Sequence, residues 1–206
     1  MDLFKIFNNN KGLVLPPTFE YSIYLAGSRC IKLNNNESDY DLIIFITAKK
    51  KMSEQQRNEI ENLIYSQLNW NIIWDKHKIK YDLKLRFSDA DFSFFLDPHS
   101  IYLLGKDLQL NTNYKLFVQK NYLNNIKYIE NLIKRSKRQT VTNYTKHSYL
   151  LYLLVNMYIN KSTEITEEMH NTAKQIRETK SISKELFEDL LKKYEYIKET
   201  YNYLLA

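Results

Sequence analysis

The chain has 206 residues, 44% of them hydrophobic and 26% charged, with a formal net charge of +6. That length supports one domain with a full core, or a small catalytic domain beside a helical partner. The balance of apolar and charged residues excludes a disordered chain. A single cysteine, Cys30, excludes an internal disulfide and a thiolate-rich metal site. Any metal must then be held by oxygen or by the four histidines, which show no metal-ligand spacing.

The N-terminal "MDLFKIFNNNKG" lacks the basic and apolar regions of a secretion signal. The most apolar stretch, Tyr149 to Ile159, is shorter than the roughly 20 residues that span a bilayer. A cytoplasmic protein with no membrane contact is therefore expected. The positive balance, with a pI near 9.1, fits a polyanionic partner such as RNA or nucleotide phosphates.

From Tyr21 to Ala26, and again from Tyr40 to Ile46, the chain is short, apolar and rich in aromatic and β-branched residues, as in a buried strand. Ser53 with Gln56 forms a capping-box signature, and Ile60, Leu63, Ile64 and Leu68 then fall on one helical face. "WNIIW", the polar turn "DKHK" and "IKYDLKLRF" read as a hairpin whose second strand alternates Ile79, Tyr81, Leu83 and Leu85 with Lys80, Asp82, Lys84 and Arg86. Beyond Pro98 and Gly105 the sequence reads as helical to its end, with Gly105 closing a turn between domains. Leu116, Leu123, Ile126, Ile129 and Ile133 mark one helix, and His147 to Ile159 a more buried one. Thr166 and Ser183 are N-caps for two more, the last carrying Leu186, Phe187, Leu190, Tyr194, Ile197 and Tyr201 on one face. The expected fold class is α+β: a small mixed sheet with packed helices over residues 1–108, followed by an all-helical bundle over residues 109–206.

The chemistry concentrates in "YLAGSRCIKLNNNESDYDLIIFI". Asp39 and Asp41, two residues apart at the start of a strand, project from the same face. Two like charges at that spacing repel, and a divalent cation removes the conflict. Mg²⁺, which takes one or two carboxylates plus substrate phosphates, suits Asp-Tyr-Asp. Alone, such a pair is most often a solvated loop, and Gly-Ser alone an ordinary turn. Together they specify more: Gly27 lets backbone approach a phosphate, Ser28 adds a hydroxyl donor, and Arg29 adds a charge that can pair with phosphate.

These residues resemble the polymerase-beta-like nucleotidyltransferase superfamily, whose signature is an apolar strand ending in Gly-Ser, about ten residues, an Asp-x-Asp leading into a second strand, and a third carboxylate on a later strand. Here the elements stand as "YLAGS", "RCIKLNNNES", "DYDLIIF" and "IKYDLKL", over roughly residues 20 to 87. The resemblance implies that Gly27 and Ser28 contact a nucleotide triphosphate and that Asp39 and Asp41 ligate catalytic Mg²⁺, with Mn²⁺ as an alternative. It also implies a third carboxylate near the attacking hydroxyl. Asp82 is preferred for that place over Asp75, Asp89 and Asp91 because its neighbours alternate cleanly. Small members of the superfamily carry a further glycine soon after Gly-Ser-Arg; this chain has Cys30, Ile31 and Lys32 there. A basic residue of the helical domain often touches the triphosphate in such enzymes, which makes Lys146 a candidate beside its plainer reading as a solvated helix start.

The expected reaction is attack by an acceptor hydroxyl on the α-phosphate of an NTP, with release of pyrophosphate. The charge balance favours RNA as acceptor, a tRNA end among the options. A protein or small-molecule hydroxyl is the alternative, and a non-catalytic nucleotide- or partner-binding module of toxin and antitoxin type the reading from another class. "KRSKR", Lys134 to Arg138, is either a grip on an RNA backbone or the favourable positive end of a helix. The tyrosines Tyr144, Tyr149, Tyr152 and Tyr158 are spaced as helix core rather than as a base-stacking platform.

Overall fold

A computed structural model describes residues 12–34, 38–48, 52–68, 81–87, 99–107, 114–137 and 144–204, with 81–84, 86, 87, 116, 119–121, 136, 137 and 144–147 described by their backbone alone. The protein is α+β and divides into two compact units, the first holding the sheet and the second the long helices.

In the first unit, β1 (Phe19–Ala26) runs into a single helical turn, α1 (Gly27–Cys30), and the chain returns as β2 (Tyr40–Ala48). Helix α2 (Glu54–Gln67) follows, then β3 (Tyr81–Phe87) and β4 (Ile101–Gly105). The sheet order is β3-β2-β1-β4. β1 is antiparallel to both β2 and β4, whereas β2 and β3 run parallel. A parallel pair requires a crossover connection, and α2 lies within it.

The residues explain this arrangement. β2 is interior to the sheet and buries consecutive residues, Leu42 to Ile46, on both faces, so it is a continuous apolar run without alternation. Leu42, Ile44 and Ile46 share one face and meet Ile60, Ile64 and Leu68 of the α2 segment, together with Ile23 and Leu13. Ile43 and Phe45 lie on the other face, where the Tyr24 ring meets Phe45 and Tyr102 edge-on, each pair of ring centres 5.8 Å apart. The capping box at the start of α2 is formed in full: Ser53 Oγ accepts from Gln56 N at 3.2 Å, and Ser53 N donates to Gln56 Oε1 at 3.0 Å.

No element is expected from sequence between Pro98 and Gly105, yet Ile101–Gly105 forms β4, paired to β1 from Ser22 to Leu25. Gly105 ends that strand rather than closing a free turn. Its φ is +92, and a Cβ there would stand 3.0 Å from the carbonyl carbon of Tyr21. The chain beyond is stitched to β1 as well. Lys106 N donates to Tyr21 O at 2.8 Å, Ser22 Oγ donates to the Lys106 carbonyl, and Tyr24 donates to Asp107 Oδ1 at 2.9 Å. The expected hairpin partner and turn, residues 70–78, lie outside the described residues. β3 itself pairs with β2.

The second unit is built from α3 (Tyr114–Lys137), α4 (Tyr144–Ile159), α5 (Glu167–Thr179) and α6 (Lys184–Thr200), ending in a 3-10 turn (Asn202–Leu204). α4 is the central helix, buried without interruption from Ser148 to Tyr158 and in contact with α3, α5 and α6. Thr166 and Ser183 cap α5 and α6 through their hydroxyls. On α3 the buried face is Phe117, Val118, Tyr122, Ile126, Ile129, Leu132 and Ile133. Leu123, expected on that face, is 52% exposed. Many of the tyrosines are core: the Tyr158 ring meets Tyr114, Phe117, Tyr122 and Tyr201. Of the basic run at the end of α3, Lys134 and Arg135 are exposed. Among the described residues no helix is long and apolar enough to cross a membrane.

Candidate active site

Gly27 and Asp41 are neighbours in space because β1 and β2 are antiparallel. The register pairs Ala26 with Asp41, so the residue that ends β1 faces the carboxylate that opens β2. Gly27 turns out of the strand at φ +69, in the left-handed region that glycine adopts without strain. The Asp41 carboxylate occupies the space where a side chain would begin: a Cβ on Gly27 would lie 2.6 Å from Asp41 Cγ and overlap Oδ2. Glycine here serves two demands at once, the backbone turn and room for the acid.

Ser28 follows and is buried. The turn it belongs to is closed by Leu33 N donating to Ser28 O at 2.9 Å and Lys32 N donating to Arg29 O at 3.3 Å. Ile31 and Leu33 anchor its far end in the core. The Cys30 thiol, half-buried, donates to Gly27 O at 2.9 Å. The cysteine standing where the resemblance implies a glycine is thus taken up by the turn's own backbone.

Asp39 immediately precedes β2, and both it and Asp41 are half-buried. The parallel register sets Asp82 level with Asp41 on the adjacent strand, as Tyr40 is level with Tyr81. Three residues further along both strands, Ile44 is level with Leu85, and both belong to the core beneath α2. The sheet therefore brings the backbone positions of the three aspartates to one end of two neighbouring strands. Asp75, Asp89 and Asp91 lie outside the described residues. Lys146 stands in the first turn of α4, in the second unit.

Arg29 is engaged differently from the sequence expectation. Its Nη2 donates to Ser38 O at 2.6 Å and its Nε to Asp39 O at 3.1 Å, while its guanidinium lies 3.7 Å from the centre of the Tyr40 ring. Tyr40, the middle residue of Asp-Tyr-Asp, is not singled out by any sequence pattern. Arginine-to-carbonyl contacts leave no periodicity to read.

Among the described residues no group of three or more histidine, cysteine, aspartate and glutamate side chains gathers to hold a metal; the side chain of Asp82 is not among them. Asp39 and Asp41 stand two residues apart at the start of β2 and carry carboxylate oxygens, the ligand type Mg²⁺ prefers. Comparison of the chain with protein families, curated proteins and solved structures finds no match.

Proposed function

We propose that the protein is a Mg²⁺-dependent nucleotidyltransferase of polymerase-beta-like fold, moving NMP from an NTP to an acceptor hydroxyl with release of pyrophosphate. The observation that carries this reading is the fit of Gly27 against the Asp41 carboxylate, with Asp82 level with Asp41 on the next strand.

The chain's residues divide the work. Ser28 and the backbone around Gly27 receive the triphosphate, and Asp39 and Asp41 hold the cation, with Asp82 completing its carboxylate set. Mg²⁺ held there would supply positive charge to the triphosphate and to the leaving pyrophosphate. The acceptor oxygen forms a bond to the α-phosphorus while the bond from that phosphorus to the bridging oxygen of the β-phosphate breaks. Pyrophosphate leaves with the electron pair, and the hydroxyl proton passes to Asp82. No covalent enzyme intermediate is needed, so positioning and electrostatics account for catalysis. RNA is the acceptor class favoured by the net charge of +6.

The test incubates the protein with Mg²⁺, each α-labelled NTP separately, and total RNA plus cell protein, with the Asp39→Ala, Asp41→Ala double variant as control. Label entering one fraction, and lost in the control, is the expected outcome and identifies the acceptor class. Absence of transfer, together with NTP binding that ignores both aspartates, would leave a nucleotide- or partner-binding module as the function.

A further inference from the structure

A single guanidinium holds three consecutive residues of the carboxylate segment. Arg29 donates to the carbonyls of Ser38 and Asp39 at 2.6 and 3.1 Å and stacks 3.7 Å over Tyr40. The sheet does not hold that segment in the same way. The pairing of β2 with β3 begins at Tyr40 and its pairing with β1 begins at Asp41, so Asp41 is fixed by two neighbours while Ser38 and Asp39 precede the ladder.

We propose that Arg29 is a positioning residue: it clamps Ser38 to Tyr40 and so sets where the Asp39 carboxylate stands relative to Asp41 and the Gly27–Ser28 turn. The Nε–Nη2 edge, which would grip a phosphate bidentately, is turned to the two carbonyls, and one face of the ion is covered by Tyr40. Arg29 lies in α1, two residues after the glycine that packs on Asp41. The clamp therefore closes a ring: Gly27 touches Asp41 on one side, Arg29 holds Asp39 on the other, and the two residues are separated in sequence only by Ser28. Lysine cannot substitute. It keeps the charge, and would serve a phosphate as a point charge, but it has neither the planar pair of donors nor a surface that stacks on a ring.

The inference rests on the nucleotidyl-transfer reading for its consequence at the cation and not for the clamp itself, and the experiment separates the two. In the ligand-free full chain, backbone hydrogen exchange at residues 38–41 is compared among wild type, Arg29→Lys, Tyr40→Leu and Tyr40→Phe. Arg29→Lys and Tyr40→Leu should both speed exchange there, whereas Tyr40→Phe, which keeps the ring, should not. Binding of Mn²⁺ alone and of ATP without metal is then measured by titration. Arg29→Lys should weaken Mn²⁺ binding about tenfold while leaving metal-free ATP affinity within about twofold. Unchanged exchange in Arg29→Lys and Tyr40→Leu overturns the clamp. Faster exchange with unchanged Mn²⁺ affinity, or a loss confined to metal-free ATP binding, overturns the positioning role. A wild type that binds no Mn²⁺ removes the nucleotidyl-transfer reading and with it the role at the cation, and the exchange data then decide the clamp alone.

Discussion

At the scale of single residues the site turns on Gly27. Substitution by alanine adds a Cβ into the space of the Asp41 carboxylate and does so at a positive φ. Gly27→Ala should lower stability by about 1–3 kcal/mol, read from urea unfolding, and abolish nucleotide transfer. Asp41→Asn is the complementary change. It keeps the shape that packs on Gly27 and so should unfold at nearly the wild-type denaturant concentration, yet it should reduce transfer by about 10²-fold or more. The spacing of Gly27, Ser28, Asp39 and Asp41 is legible in the sequence, and the register of β1 and β2 brings Gly27 against Asp41. The grip of Arg29 on two carbonyls is not legible there, because any segment offers carbonyls and only the folded path decides which ones an arginine meets.

At the scale of elements, local signals were read well where they are local in physics. The capping box of α2 and the caps of α5 and α6 depend on residues three apart, and all three form. Ser53→Ala removes the hydroxyl half of the reciprocal pair, leaving Ser53 N to donate to Gln56 Oε1, and should cost about 1 kcal/mol, seen as a lower unfolding midpoint with an unchanged denaturant slope. β4 was missed for the opposite reason. Five residues bounded by punctuation carry little periodicity, and their extended state is imposed by β1, nearly eighty positions earlier. Leu123 was misplaced because a 3.6-residue period leaves the centre of the face open until its aromatics, Phe117 and Tyr122, are counted.

The same aromatics make the helical unit sensitive to alkali. Burial pushes the phenols of Tyr114 and Tyr158 well above the ordinary tyrosine range, a hydrogen bond with Tyr201 adding to the effect at Tyr114 while one from Asn125 opposes it at Tyr158. Burial likewise pushes Tyr128 up to about 12. In each case the folded chain keeps its proton at a pH where the unfolded chain has lost it. The stability these groups contribute is thus full below a pH of about 10 and declines as pH rises beyond it. On raising the pH, helical circular dichroism should fall together with the late rise in tyrosinate absorbance that comes from the buried phenols.

At the scale of the whole molecule the net charge of +6 makes a claim about the acceptor. An RNA held through about three phosphates should bind roughly 20-fold more weakly when salt rises from about 50 to about 200 mM, whereas a small-molecule acceptor should respond far less. Filter binding across that range measures the slope. The division into a sheet unit and a helical unit follows from the change in periodicity along the chain, and each unit has an apolar core of its own.

The position of β4 at the edge beside β1 has a consequence for synthesis on the ribosome. β1 ends at Ala26 and is among the first segments made, yet its second neighbour is completed only at Gly105, about halfway through the chain. While the intervening residues are translated, one side of β1 offers unpaired amides and carbonyls to any passing strand. The sheet edge beside β1 is closed last within its unit, so a ribosome that stalls before Gly105 leaves a nascent chain with the Gly27 turn and Asp41 already made and the border of their sheet still open.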